Sequence, residues 1–370
     1  MAPVRIGTPV DELDTPALLV EIARLERNLR SWQDAVAAHG VRLRPHVKTH
    51  KSPAIAALQL AAGACGIAAA KPSEAEVFVA AGVRDVVIAY PVVGEPKWER
   101  VACLAARGAA VAVNVDGELA ARGLAAAATR HGVRIGVQIE IDSGLHRVGF
   151  PPGDFRRIEA LARLVESLPG LALEGVTTHR GVGFAGADRL TPVEAGRAEG
   201  ELLVAVAERL RERGLEIREV TAGGTPTGRA AAAVPGVTEI RAGTYVFNDL
   251  MQLASGAAQP AELALSILCT VVSRGPGRAT IDGGSKTFSG DRSVDGGVFA
   301  RAVDRDATVG RLTEEHGMVE HGAGLLEVGE KVAWYPVHAC TCVNLADELL
   351  GIRDGVVEAV WPVAARGLRA

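Results

Sequence analysis

The sequence predicts an α/β fold: a (β/α)8 barrel of the TIM type over residues 21–255, then a β-rich C-terminal domain over 256–370 that takes in a strand from residues 1–20. Three observations carry this reading. Short β-like runs alternate with Ala-rich helical stretches from about residue 41, and such alternation implies a parallel sheet. Eight of these units fit into roughly 200 residues, the size at which the sheet closes on itself. Beyond about residue 255 the helical patterns become scarce. An open doubly wound sheet is the competing arrangement of the same units.

In chain order, ALLV at 17–20 reads as a strand outside the barrel, and EIARLERNLRSWQDAVAAHG at 21–40 as a helix leading into it. The eight barrel strands are then expected at 41–48, 66–70, 85–91, 111–116, 134–142, 171–179, 217–224 and 237–243. Helical patterns such as SPAIAALQLAAG, PSEAEVFVAAG and PPGDFRRIEALARLVESL fill the gaps. The stretches ELALSILCTVVSR, GRATIDGG and EKVAWYPVHA, separated by Gly, Asp and Ser, supply strands of the second domain.

Composition narrows the function. The 370 residues are 48% apolar and only 4% aromatic, which suits a core of small and branched aliphatics. The net charge of −4 and the lack of a long basic run argue against a nucleic-acid partner. The short cluster Arg42, Arg44, His46, Lys48, His50 and Lys51 reads instead as an anion-binding pocket. No apolar run reaches the ~18 residues of a membrane span, and MAPVRIGTPVDELD lacks the apolar stretch of a signal peptide. Five scattered cysteines form no disulfide framework. A cytoplasmic protein is expected.

In a barrel of this type the chemistry sits at the C-terminal ends of the strands. Those ends deliver Lys48, Tyr90, Asn114, Asp116, Asp142, Arg147, His179, Gly223, Gly224 and Arg241. A lysine there, with Arg44, His46 and His50 nearby to lower its pKa, is placed to form a Schiff base; taken alone, a surface lysine is the plainer reading. TAGGTPTG (221–228) and RAGTYVFND (241–249) follow the seventh and eighth strands, where this fold binds phosphate. Their glycines let backbone N–H groups approach an anion, and Thr225, Thr227 and Tyr245 add hydroxyls. Two ordinary turns would read the same way. In YPVHACTCVN, His338 and Cys340 share one side of an extended strand and so offer an imidazole and a thiolate to one metal, Zn2+ first. Cys342 lies on the same side, as a third ligand or as a core residue, and a buried His–Cys pair without metal is the plainer alternative.

These motifs together resemble fold-type III pyridoxal-phosphate (PLP) enzymes, the group of alanine racemase, and within it the D-serine dehydratase and D-threonine aldolase family. The marks are DTPALLV (14–20), RPHVKTHK (44–51), KPSEAE (71–76), IDSGLHRVG (141–149), GGTPT (223–227), RAGTYVFND (241–249), DGGSK (282–286), EEHG (314–317) and HAC (338–340). The resemblance implies that Lys48 carries PLP and that His179 lies against its ring, with Arg147 near its hydroxyl side. His46 lies beside Lys48 in the first motif, and Gly223, Gly224, Thr225, Gly243, Thr244 and Tyr245 surround the phosphate. It further implies a divalent metal on His338 and Cys340 (Zn2+, with Mn2+ or Mg2+ as alternatives) and a homodimer.

The implied reaction is a lyase step on a small D-β-hydroxy amino acid. His-x-Cys is the dehydratase branch's pattern, which gives a 2-oxo acid and ammonia; retro-aldol cleavage to glycine and an aldehyde is the alternative. A racemase has no use for the His-x-Cys pair, and a non-catalytic PLP carrier has no second domain. Val182 and Phe184 stand where the dehydratase branch carries His and Tyr.

Overall fold

The structure, a computed structural model, describes residues 5–180, 190–294 and 296–370. Strand β1 (Ala17–Glu21) and helix α1 (Ile22–Ala37) open the chain. Eight strands follow: β2 (Arg42–Leu43), β3 (Ile67–Ala69), β4 (Asp85–Ile88), β5 (Ala110–Val115), β6 (Ile135–Ile141), β7 (Leu171–Thr178), β8 (Glu219–Ala222) and β9 (Glu239–Ile240). Between them run α2 (Pro53–Ala61), α3 (Pro72–Ala80), α4 (Glu95–Ala106), α5 (Glu118–His131), α6 (Phe155–Ser167), α7 (Pro192–Glu212) and α8 (Gly228–Ala232). All eight expected strands are present; seven are shorter than the expected run, and β5 has the expected six residues, set one position earlier.

The eight strands pair in parallel in the order β2-β9-β8-β7-β6-β5-β4-β3. The two outer strands then meet. Cys65 N–H donates to the Leu43 carbonyl at 2.9 Å, and Ala68 N–H to that of Pro45 at 2.8 Å. His46 and Ala68 form a parallel bridge. The sheet is therefore a closed barrel, and closure removes every strand edge. Strand β6 shows how it is filled. All seven of its residues are buried. Ile135, Val137, Ile139 and Ile141 form one apolar side, and Gly136, Gln138 and Glu140 the other. The second side faces the interior, where Asn114 of β5 hydrogen-bonds Glu140.

The remaining strands are β10 (Leu265–Gly275), β11 (Arg278–Ile281), β12 (Ala300–Ala302), β13 (Thr308–Leu312), β14 (Gly317–Val319), β15 (Lys331–Pro336), β16 (Glu348–Arg353) and β17 (Val356–Pro362). Only three short α-helices accompany them among the described residues: α9 (Leu250–Ser255), α10 (Ser285–Phe288) and α11 (Ala339–Val343). The nine-stranded sheet runs β11-β14-β13-β12-β15-β10-β1-β16-β17, with β10 also paired to β11. That extra pairing closes six strands into a ring. The early strand β1 lies outside the barrel, antiparallel to β10 and parallel to β16. Leu13, Leu19, Leu268, Leu350, Ile352 and Val357 form a core cluster there.

By contacts the chain divides into two compact units. One comprises Met1–Arg30, Thr49–Ile55 and Thr244–Gly367; the other comprises Ser31–Lys48, Ala56–Gly243 and Leu368–Ala370.

Candidate active site

Of the residues singled out in the sequence, His46, Lys48, Arg147, His179, Gly223, Gly224, Thr225 and Gly243 fall in the barrel unit; Thr244, Tyr245, His338 and Cys340 fall in the other.

Lys48 is half-buried in a 3-10 turn, Val47–Thr49, past the end of β2. Its backbone N–H donates to His46 Nδ1 at 3.4 Å. Arg147 is exposed on the loop that follows β6. That loop is tied at its base: Asp142 N–H donates to the Phe150 carbonyl at 2.8 Å, and Phe150 N–H to that of Glu140 at 3.1 Å. Inside it, Asp142 accepts from Gly144 N–H at 2.9 Å and from His146 N–H at 3.0 Å. Asp142 thus organises the segment that carries Arg147. The Arg241 guanidinium is buried and donates to the Thr178 carbonyl at 2.8 Å, one residue before His179.

The charges at this end of the barrel act on one another. Burial, then the nearby Lys48, Arg241 and Arg147 cations, pushes His179 down to about 3. A hydrogen bond to the Gly223 backbone opposes this but does not offset it. His46 falls well below its usual value for the same reasons, burial first and then Lys48. Both rings are neutral at pH 7. Glu140 moves the other way, up to about 7, because burial outweighs the help of Arg241, Asn114 and Arg147.

The turn after β8 holds His179 in place. A Cβ on Gly224 would lie 2.9 Å from His179 Cε1, so the ring packs on bare backbone there. The amides of this turn are already engaged. Gly223 N–H donates to Glu199 Oε1 at 3.2 Å, and Gly224 N–H to Thr227 Oγ1 at 3.1 Å. The two glycines therefore offer an incoming group closeness of approach, while their N–H groups point inward.

These residues fit a planar, anionic cofactor. Arg147 and Arg241 place positive charge near Lys48, and the two imidazoles beside it are neutral. Arg241 Nε, Asn114 Oδ1, Gln138 Oε1 and Thr177 Oγ1 are buried without hydrogen-bond partners. Such orphans in a native interior call for a ligand or ordered water.

In the other unit, the extended reading of 338–340 is corrected. β15 ends at Pro336, and His338 is the N-cap of α11. Asp249 drives the turn by accepting Ala339 N–H at 3.0 Å, which pulls the backbone out of the strand path. His338 keeps a strand-like backbone while Cys340 is already helical, and their side chains still meet in a hydrogen bond. Burial opposes a charge on His338, but Cys340, Asp249 and Asp291 raise its pKa to about 9. Cys340 Sγ also lies 3.4 Å from Thr49 Oγ1 and 3.8 Å from Thr244 Oγ1. Tyr245 is buried in the turn 244–246. Cys342 is a core residue, its thiol 3.1 Å from the Phe288 carbonyl, because residues two apart in a helix point to opposite sides, which turns it away from Cys340.

Asp291 was not foreseen. Its Oδ2 lies 2.8 Å from His338 Nδ1 and accepts from the Thr341 hydroxyl at 2.8 Å. A carboxylate on one ring nitrogen fixes the tautomer and presents the other nitrogen, as in metal-binding histidines. Among the described residues no group of three or more His, Cys, Asp or Glu is arranged to hold a metal. An imidazole and a thiolate facing each other are a two-donor set suited to a borderline-soft divalent ion, with the other positions left to water or substrate.

Asp291 stands 47 residues from His338, and no local spacing signals the pairing. Glu140 had a signal: two polar residues on one side of an otherwise apolar strand. Val182 and Phe184 lie outside the described residues. No helix among the described residues is long and apolar enough to cross a membrane.

Comparison with known proteins bears on both units. The profile of the alanine racemase N-terminal domain matches residues 20–250, and that of a serine dehydratase domain matches 264–352. The chain is 36% identical to a D-threonine aldolase of an Arthrobacter species, over 99% of this chain and 96% of that protein. The crystal structure of D-threonine aldolase from Filomicrobium marinum superposes with a TM-score of 0.89 at 33% identity, over 99% of each chain. D-threo-3-hydroxyaspartate dehydratase from Delftia sp. HT23 superposes with a TM-score of 0.88 at 32% identity, over 96% of this chain and 98% of that one. Structures of D-threo-3-hydroxyaspartate dehydratase also exist with a histidine replaced by alanine, and with a cysteine replaced by alanine in the metal-free form.

Proposed function

The chain belongs to the alanine racemase N-terminal-domain family of fold-type III PLP enzymes, and from that membership we propose that it is a PLP- and metal-dependent lyase of D-β-hydroxy amino acids, acting as a dehydratase. The observation that carries the dehydratase reading is the His338–Cys340 pair with Asp291 behind the imidazole. The histidine and cysteine replaced in the related dehydratase stand two positions apart, the same spacing as His338 and Cys340.

PLP, when bound, supplies an electron sink for negative charge at the substrate α-carbon, and a divalent ion supplies Lewis acidity toward the β-hydroxyl. Lys48 is the residue that carries the cofactor and afterwards takes the α-proton on its freed amine. Neutral His179 would lie against the cofactor ring without adding a second positive charge beside Lys48. Arg147, Arg241, Gly223, Gly224, Thr225, Gly243, Thr244 and Tyr245 are the residues that would surround its anionic groups. His46 buttresses the Lys48 backbone. His338 and Cys340 would hold the metal, Zn2+ first by donor chemistry and Mn2+ or Mg2+ as alternatives. Loss of the α-proton and the β-hydroxyl, followed by hydrolysis, gives a 2-oxo acid and ammonia. The assembly expected from the family resemblance is a homodimer.

A second reading is supported by two relatives, both D-threonine aldolases. There the same residues break the Cα–Cβ bond and yield glycine and an aldehyde. Incubating the purified protein with PLP, Zn2+ and D-serine, D-threonine or D-3-hydroxyaspartate separates the two. Oxo acid with ammonia supports the dehydratase, and glycine with aldehyde the aldolase. Neither product from any of the three overturns the lyase proposal. Lys48→Ala is expected to abolish turnover and the visible absorbance of lysine-bound PLP.

A further inference from the structure

Glu199 is a fully buried carboxylate with no part in the chemistry above. Helix α7 brings it in on a close approach: a Cβ on Gly196, almost one turn earlier, would sit 2.2 Å from the Thr227 carbonyl oxygen. Glu199 Oε1 accepts the backbone N–H of Arg180 at 3.0 Å and that of Gly223 at 3.2 Å. The Thr227 hydroxyl hydrogen-bonds the same carboxylate, and Gly224 N–H donates to Thr227 Oγ1 at 3.1 Å. Donors from the loop after β7 and from the turn after β8 therefore converge, directly or through Thr227, on one acid. Glu199 Oε2 is buried with no partner.

Burying a carboxylate is costly unless it is well hydrogen-bonded, and an apolar side chain would fill the same volume without that cost. What an apolar residue would not do is join the two segments that meet at His179. Arg180 directly follows His179, and Gly224 is the backbone on which the imidazole packs.

We propose that Glu199 is a positioning residue: it clamps the His179–Arg180 backbone at the end of β7 to the turn after β8, so that His179 and the Gly223–Thr225 backbone meet the cofactor as one rigid surface. The inference rests on the PLP reading and deepens it. It also commits the Gly223 and Gly224 amides to the clamp, so a phosphate bound at this turn takes its hydrogen bonds from other donors.

The test is PLP titration of the purified full-length protein, read by absorbance and by circular dichroism of the bound cofactor. Glu199→Ala is expected to weaken PLP binding about 10- to 100-fold, the usual scale for losing buried charge-assisted hydrogen bonds, and to alter the cofactor's dichroism. Glu199→Gln keeps an acceptor at the Oε1 position and should restore binding to within about 3-fold of the parent, well inside one tenfold step of affinity. A purely structural acid would lower the melting temperature and leave affinity and dichroism unchanged; that result overturns the proposal. Should Glu199→Ala fail to fold, Thr227→Val decides, because it removes the link to Gly224 with the carboxylate in place. Weaker binding with altered dichroism supports the clamp, and parental behaviour refutes it. If the parent protein itself binds no PLP, the cofactor reading has failed instead.

Discussion

Replacing Glu140 by Gln should make the protein's stability less sensitive to pH, in a direction and size that follow from the barrel interior. Burial raises the Glu140 pKa from 4.5 to about 7 despite Arg241, Asn114 and Arg147. In the unfolded chain the proton leaves near 4.5, so between these values the folded state holds more protons than the unfolded state. The stability associated with the protonated acid is therefore fully present below 4.5 and is lost as pH rises through about 7. Summed between pH 5 and pH 8, the loss is roughly 2–3 kcal/mol. Gln keeps the shape and holds the neutral state at every pH. Urea unfolding of the cofactor-free parent and variant, followed by far-ultraviolet circular dichroism, gives the comparison, because other titrating groups cancel between them. The advantage of Glu140→Gln should be larger at pH 8 than at pH 5 by roughly 2–3 kcal/mol. An advantage that is constant, or larger at pH 5, would refute the reasoning: Glu140 would then be ionised throughout and held so by Arg241.

Three further outcomes follow from single contacts. Gly224→Ala places a methyl 2.9 Å from His179 Cε1; it should cost about 1–3 kcal/mol as an overpacked site and change the dichroism of bound PLP, whereas an unaltered spectrum would show that His179 does not touch the cofactor. Asp291→Asn should weaken Zn2+ binding about 10- to 100-fold, as loss of a carboxylate behind a metal histidine does, measured by competition with a chromophoric chelator while PLP binding stays intact. Cys340→Ser should lose Zn2+ and Cys342→Ser should keep it, read as metal content after dialysis; the reverse order would contradict the placement of Cys342 against the Phe288 carbonyl.

Much of the fold was legible because its signals are local. Period-2 and helical patterns repeat along the chain, so eight strands and their helices can be counted before any contact is known, and the loss of helical texture marks the second sheet. Seven of the eight strands came out shorter than expected because the chain turns away where barrel pairing ends: only two residues of the predicted strand 41–48 pair regularly. Lys48 was legible as a strand-end lysine, and the family motifs gave it a role that spacing alone did not.

The site was legible in its parts and not in its wiring. His338 and Cys340 were chosen as alternate residues of a strand, yet they meet through a helix cap made by Asp249, distant in sequence. Asp291 and Glu199 gave no local motif, since each acts on groups brought to it by folding. Glu199 does sit on a helix side with Ala195, Gly196 and Leu203, all buried, and an acid on such a side is a signal that can be looked for.

By itself, then, the sequence determined the repeating unit, the order of strands and the residue types at their ends, because backbone propensity and side-chain period act over a few residues. Only the tertiary structure decided which amide, carboxylate and imidazole are neighbours. Those contacts join segments tens of residues apart, and burial sets their protonation: His179 down to about 3, Glu140 up to about 7. A pattern in one dimension carries no record of such desolvation.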